Sequence, residues 1–409
     1  MTVTLDISKN VYGGDGLGRL GDGRVCFVPG VFAGETVRAE LVEQKKSFVR
    51  ARCVELLSAS PDRILMPDAP SSESSPVLPG MVYAGVNYEA ELRFKEEQLG
   101  DFLERIGQSY RRIETVAGSP VEYRNKVAYH VQRSGDRWLI GYRREKSHDV
   151  VDVPYDPLAC KEINRALPAV RAGVLSMLTQ GPASVRRDAN ERSNVTVRWS
   201  LDDGVRWWIG DPPPGLTFTE RTCGLRFAVP AGGFYQVNPE VGEKLVAAVA
   251  DSYAGWADVS PDVLDLYCGV GVFGLCCVDG LRRRMPGVKP RLVGVESGRL
   301  SVSAAKENAK AAGIPACFFC ERVGGSLPRI RIGERSTVIV DPPRGGMEKN
   351  VPRFLAASKA RRLIYVSCDP ATLARDLGTL GGTYRIKRVR LFDLFPRTAR
   401  FETLVELEK

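Results

Sequence analysis

Hydrophobic and polar positions divide the chain into stretches of different period. Over residues 2–58, Val-rich segments with partial alternation predict strands at Val3–Leu5, Arg24–Val28, Thr36–Glu43 and Phe48–Leu57. Gly13, Gly14, Gly16, Gly18, Gly21 and Gly23 punctuate the early part with turns. About 55 residues of this kind predict a small closed β-barrel of the oligonucleotide-binding type. Residues 59–80 carry excess Pro and Ser, as in Ser71–Pro76, and read as a linker. Residues 88–107 predict a helix with Leu92, Leu99, Phe102, Leu103 and Ile106 as its apolar stripe.

From 118 to 235 strand-like runs recur, among them Tyr123–Val131, Trp138–Tyr142 and Val195–Ser200, in a middle region assigned as α+β. From about 236 strands alternate with helices. Val263–Leu266, Leu292–Val295, Thr337–Val340 and Leu363–Val366 are the strands, and Leu300–Ala312 is one of the helices. This alternation predicts an α/β, doubly wound domain with a mainly parallel sheet. The expected boundaries are 1–58, 59–117, 118–235 and 236–409.

Composition changes this picture only in places. The 409 residues carry a net charge of +9, which favours a polyanionic partner such as nucleic acid. The barrel segment is nearly neutral, so the excess lies elsewhere. No run approaches the ~18 apolar residues of a membrane span, and Met1–Asn10 lacks a secretory pattern. A cytoplasmic protein without a membrane partner is expected, and a monomer. With two histidines, His130 and His148, a His-rich metal site is not expected. The ten cysteines are expected as reduced thiols. Most read as packing residues, including Cys268, and Cys317–Cys320 lacks a second pair at zinc-ligand spacing.

Candidate chemistry gathers at the strand ends of the last region, where ligands of open α/β sheets bind. Asp265–Gly274 reads D-L-Y-C-G-V-G-V-F-G, and its glycines permit a sharp turn and close approach to a ligand. Glu296 ends the next strand and could accept from both hydroxyls of a ribose. The third strand ends in Asp341-Pro342-Pro343-Arg344, where two prolines stiffen the loop. The fourth ends in Ser367-Cys368-Asp369-Pro370. Asp369 suits an N-cap and Pro370 the first helical position. The helix N-terminus is therefore expected to favour a Cys368 thiolate.

Taken together these segments resemble the bacterial RNA uracil-C5 methyltransferases, which make 5-methyluridine in transfer and ribosomal RNA. The resemblance rests on Phe234-Tyr235-Gln236-Val237-Asn238, Asp265–Phe273, Asp341–Arg344 and Ser367–Pro370, in that order. The first 58 residues resemble a TRAM domain, a barrel that accompanies RNA-modifying enzymes. The resemblance implies a class I, Rossmann-like methyltransferase domain that uses S-adenosyl-L-methionine. Gln236, Tyr267, Glu296 and Asp341 would contact that cofactor. Cys368 would add to C6 of uracil, and Glu402 would remove the C5 proton. Ribosomal RNA of the 23S type is expected ahead of transfer RNA.

Two departures from the family pattern stand out. Arg400 occupies the place, two residues before Glu402, where the family usually has His. It could depress the Glu402 pKa or bind a phosphate. Val54 to Ala159 contains no cysteine, so the iron–sulfur cluster of many ribosomal-RNA members is not expected. An RNA cytosine-C5 methyltransferase and an RNA-binding or chaperone protein with weak catalysis remain alternatives. The first usually has Pro-Cys where Pro343-Arg344 stands. A nicotinamide oxidoreductase ranks last, because it has no use for the Asp-Pro-Pro and Ser-Cys-Asp turns.

Overall fold

The computed structural model describes residues 1–64, 78–107, 112–144, 147–180, 194–256 and 261–409. The Ser71–Pro76 linker lies outside them. Five strands, Thr2–Asn10, Gly16–Arg19, Val25–Val28, Thr36–Gln44 and Phe48–Ser58, close into a barrel. Alternate residues fill it: Leu5, Ile7, Cys26, Val28, Val37, Ala39, Val49 and Ala51 are buried together. Bulges interrupt the pairing of the last two strands, which lets them bend around so small a core. The strand Gly16–Arg19 was not predicted, because two glycines in four residues carry little β-propensity.

The middle region is an antiparallel sheet in the order Gly204–Ile209, Asn194–Ser200, Lys126–Ser134, Arg137–Arg143, Val150–Asp152, with a separate hairpin Thr217–Thr222/Leu225–Pro230. The helix Lys161–Gln180 covers the sheet through Ile163, Leu167, Val170, Val174 and Leu178. That helix is absent from the strand-like runs the sequence offered, and it contains Pro168.

The last region is an eight-stranded sheet. Its order is Ala316–Cys320, Leu292–Glu296, Asp262–Leu266, Ser336–Val340, Arg362–Ser367, Glu402–Glu408, Arg385–Phe392, Glu114–Val116. The first five run parallel, and Glu402–Glu408 is antiparallel to its neighbours on both sides. Strand order reverses between Asp262–Leu266 and Ser336–Val340, the crevice where such sheets bind ligands. Helices Pro239–Ala254, Val272–Arg284 and Arg299–Ala311 cover one face. Helices Tyr88–Glu104, Asn350–Ala357 and Pro370–Leu380 cover the other.

The helix Tyr88–Glu104 lies where the sequence placed it, but its buried face differs. Ala90, Glu91, Phe94, Lys95, Gln98, Leu99 and Leu103 are buried, whereas Leu92, Phe102 and Ile106 are only half-buried. Lys95 donates to Glu91 Oε1 and Asp393 Oδ1, both at 2.7 Å. Gln98 donates to Asn10 O and the Tyr83 hydroxyl. The helix is wedged between the barrel and the C-terminal segment, so its charged groups find partners inside. An apolar stripe cannot reveal such a face.

Candidate active site

The strand Asp262–Leu266 runs into a turn that reverses the chain into the helix Val272–Arg284. Tyr267, Gly269 and Gly271 have φ of +65°, +53° and +88°. A left-handed tyrosine is unusual, and its hydroxyl is tied to the Glu348 carboxylate. Asp265 is fully buried and accepts from the Gly274 N–H at 2.9 Å, holding the helix's first turn against the strand. A Cβ on Gly274 would meet Leu292 Cδ1 at 2.7 Å and Asp265 Oδ2 at 2.9 Å, so these buried side chains would have to shift to admit one.

Glu296 accepts from the Gly298 N–H at 2.6 Å and from the Gly269 N–H at 3.3 Å, joining two strand ends through one carboxylate. Gln236 arrives from the opposite wall. Its neighbour Asn238 caps the helix Pro239–Ala254 and donates to Leu394 O at 3.2 Å, while Val237 O accepts from Asn125 N–H at 2.9 Å. Among the described residues Gln236 Oε1 is buried without a hydrogen-bond partner. Such an acceptor costs about 1–3 kcal/mol while it stays unpaired.

Asp369 caps the helix Pro370–Leu380 as the sequence predicted. Its Oδ1 accepts from the N–H groups of Ala371 (3.1 Å) and Thr372 (3.0 Å), with Pro370 in the first turn. Cys368 stands between that cap and the strand Arg362–Ser367. The next strand over is Glu402–Glu408, paired antiparallel so that Ser367 faces Thr403. One step further brings Cys368 opposite Glu402. Glu402 is 4% exposed, and its Oε2 has no partner among the described residues.

Gln236, Tyr267, Glu296, Asp341, Cys368 and Glu402 all line one cleft. It encloses a cavity of about 770 Å³, within the roughly 300–1,000 Å³ of a small-molecule site. An annex reaching Tyr235, Glu243, Val246 and Phe273 opens from the Gln236–Tyr267 wall. Phe234, 67% exposed, stands where the two spaces meet. Among the described residues no cluster of three His, Cys, Asp or Glu side chains is arranged to hold a metal ion.

The electrostatics correct one expectation. Burial first, then the Glu402 and Asp341 carboxylates, push the Cys368 thiol up to about 12, and Arg344 only partly opposes this. Burial and these carboxyl groups thus oppose the thiolate that the helix N-terminus is expected to favour. Asp369 occupies its first N–H groups, and the remaining near charges are mostly negative. Burial and Asp341 likewise push Glu402 well above the usual carboxylate range. Asp341 rises to about 8 through burial and Asp265, and Asp265 to about 7 through burial and, more weakly, Glu296. Arg344, which the sequence reading gave no role, is the cation that acts on both Cys368 and Glu402.

Arg400 does not act on Glu402 as expected. Its guanidinium turns to Tyr12 of the barrel, donating to the hydroxyl at 2.6 Å, and stands 3.6 Å from Asp369 Oδ2. The sequence held no signal for Tyr12, which is remote in the chain from the residues that line the cleft.

Comparison with known proteins supplies the family. Residues 327–409 match the model of the tRNA (uracil-5-)-methyltransferases, and residues 1–54 match the TRAM domain. An uncharacterised RNA methyltransferase of Streptomyces coelicolor is 30% identical, over 99% of this chain and 92% of that protein. The 23S rRNA (uracil(1939)-C(5))-methyltransferase of Chromohalobacter salexigens is 28% identical, over 99% and 89%. Among solved structures, the Pyrococcus abyssi tRNA (uracil-54, C5)-methyltransferase in complex with S-adenosyl-L-homocysteine superposes with a TM-score of 0.72 at 23% identity. The match covers 98% of this chain and all of that one, and it shows a shared fold.

Proposed function

The chain belongs to the RNA uracil-5-methyltransferase family, with a TRAM domain at its N-terminus, and from that membership we propose that it methylates C5 of a uracil in 23S-type ribosomal RNA. Cys368 is the nucleophile and Glu402 the base. The placement of Cys368 opposite Glu402 on one wall of the cleft carries this reading. The ribosomal substrate rests on the Chromohalobacter relative, aligned over nearly the whole of this chain. A cytoplasmic location follows from that role.

S-adenosyl-L-methionine is the methyl donor of the family, and the residues present fit it. Gln236 Oε1 is a buried acceptor in need of a donor, Glu296 offers a carboxylate for hydroxyls, and Tyr267 and Asp341 complete the wall. When bound, this cofactor supplies an electrophilic methyl group and a positive charge to the cleft. A cation there favours the ionised forms of Asp341, Glu402 and Cys368.

Cys368 as thiolate adds its sulfur pair to C6 of the uracil, and the C5–C6 π electrons move onto C5 and O4. C5, now enolate-like, would take the methyl group as the methyl–sulfonium bond breaks, with a neutral thioether as the leaving group. Glu402 removes the C5 proton, and the electrons left behind expel the Cys368 thiolate from C6. This covalent route replaces one difficult step by several easier ones. Arg344 opposes the upward push on both reacting groups.

The test uses RNA carrying 5-fluorouridine, whose C5 fluorine cannot leave as a proton. Wild type is expected to form an adduct stable to denaturing electrophoresis, and Cys368→Ala to form none. An adduct that persists in Cys368→Ala rules out this nucleophile. Mapping the methylated nucleotide in RNA from cells with and without the gene decides between ribosomal and transfer RNA.

A further inference from the structure

Tyr12 lies in the turn between the first two barrel strands. Gly13 and Gly14 follow it with φ of +111° and +98°, and a Cβ on Gly14 would meet Val82 Cγ2 at 2.7 Å. Asn10 braces the turn by donating to Gly14 O (3.2 Å) and Val31 O (2.9 Å). The turn thereby carries the Tyr12 ring out of the barrel. It packs edge-on against Phe102 of the helix Tyr88–Glu104 and against Phe401, the residue before Glu402, with ring centres 5.9 and 5.8 Å away.

The Tyr12 hydroxyl accepts from Arg400 Nη1 at 2.6 Å and donates to Asp369 Oδ2 at 3.4 Å. The guanidinium carbon of Arg400 also lies 5.4 Å from the ring centre, within cation–π range. Asp369 divides its carboxylate, Oδ1 capping the helix Pro370–Leu380 and Oδ2 facing Tyr12 and Arg400. A barrel residue, a residue beside Glu402 and the residue after Cys368 thus meet at one carboxylate.

We propose that Tyr12 and Arg400 are positioning residues that hold the Asp369 cap and through it fix Cys368 in the cleft, so that the barrel forms part of the active site. The proposal rests on Cys368 being the nucleophile. A hydroxyl that accepts from Arg400 and donates to Asp369 fits one arrangement of the three groups. A nucleophile displaced by about 1 Å costs on the order of 10²-fold in rate. Charge matters as well. Cys368 is faced by the carboxyl groups of Glu402, Asp341 and Asp369, by Arg344 as a cation and by the Tyr12 phenol. Arg400 is the cation paired with Asp369, and without it that carboxylate bears more fully on the thiol.

Full-length Tyr12→Phe, Arg400→Gln and Arg400→Lys are compared with wild type in two measurements. The first is single-turnover adduct formation on 5-fluorouridine RNA at varied RNA concentration. The second is iodoacetamide alkylation of Cys368 in the free protein against pH, followed by peptide mass spectrometry. Tyr12→Phe keeps the ring packing and is expected to lower the limiting adduct rate roughly 10-fold, with half-saturation by RNA within about twofold. Arg400→Gln is expected to lower it further and to move the alkylation profile to higher pH, and Arg400→Lys to restore most of both. Wild-type rates and profiles in Tyr12→Phe and Arg400→Gln overturn the proposal. So does a defect confined to RNA half-saturation, which would make these residues RNA contacts only. Absence of any wild-type adduct defeats the nucleophile assignment instead, and the alkylation profiles then still report whether the brace holds Cys368.

Discussion

Cys368 and Glu402 face each other across two antiparallel strands, one step beyond the Ser367–Thr403 pair. Directly opposed residues carry Cβ atoms about 4.5–5.5 Å apart and project to the same side of a sheet. Two groups so placed reach adjacent atoms of one planar ring. The proposed division of labour gives their substitutions different signatures. Cys368→Ala is expected to abolish adduct and product together. Glu402→Gln is expected to lower turnover by roughly 10²–10⁴ and to accumulate a covalent protein–RNA species on ordinary uridine RNA, visible on denaturing gels. Equal loss of adduct in both variants would remove Glu402 from the proton-abstraction step.

Gln236 offers a separate test, because its buried acceptor lacks a partner among the described residues. Gln236→Leu is expected to weaken S-adenosyl-L-homocysteine binding roughly 10- to 100-fold, in line with ~1–3 kcal/mol for a buried hydrogen bond. Removing an unsatisfied group is not expected to lower the melting temperature of the free protein. Titration calorimetry and thermal scans check both parts. Unchanged affinity would take Gln236 out of the cofactor wall.

Burial raises Asp265 to about 7 and Asp341 to about 8, above an ordinary value of ~3.9. For a carboxyl whose folded pKa is raised, the stabilising contribution is full below about pH 4. It is lost as pH rises through the folded value. The free protein is therefore expected to lose stability between about pH 4 and 8 relative to Asp341→Asn, which lacks the Asp341 share. The difference should amount to a few degrees in Tm for a chain of this size. Parallel Tm–pH curves for the two proteins would contradict the raised Asp341.

The buried cluster of Lys95, Glu91 and Asp393 supports the site from behind. Glu91 Oε1 also accepts the Arg397 N–H at 2.7 Å, and Tyr88 donates to Asp393 Oδ2 at 2.8 Å. Lys95→Ala removes the cation shared by two buried carboxylates, leaving Glu91 only Arg397 Nη1 at 3.5 Å, and is expected to cost about 3–5 kcal/mol. Denaturant unfolding measures it. Because the cluster anchors the segment that leads to Glu402, activity should fall as well. Lys95→Met tests whether shape without charge suffices, and should recover little if the carboxylates remain ionised.

Several parts of the fold were legible because their signals are local. The turn of Asp265–Gly274, the Asp369–Pro370 cap and four parallel strands of the last region, Asp262–Leu266, Leu292–Glu296, Ser336–Val340 and Arg362–Ser367, are written in neighbouring residues. All appear within one or two residues of where the pattern placed them. The helix Lys161–Gln180 and the strands Gly16–Arg19 and Glu114–Val116 were not legible. Pro168 and the glycines weaken their local propensity, and packing supplies what propensity lacks. Glu114–Val116 is a strand only because it lies beside Arg385–Phe392 at the far edge of the last sheet.

The sequence by itself determined the chemistry on offer: a thiol before a capped helix, a glycine turn, an Asp-Pro-Pro loop and a late glutamate, in an order that resembles one family. Each is a short-range pattern, set by backbone conformation and side-chain type. Only the tertiary structure decided who faces whom. It set Cys368 against Glu402, placed both where burial and the Asp341 carboxyl push their pKa values up, and sent Arg400 to Tyr12 and Asp369 rather than to Glu402. Periodicity tells a segment which of its faces is buried. The partner on that face, and the field it brings, depend on strand register and long-range packing, which no local pattern contains.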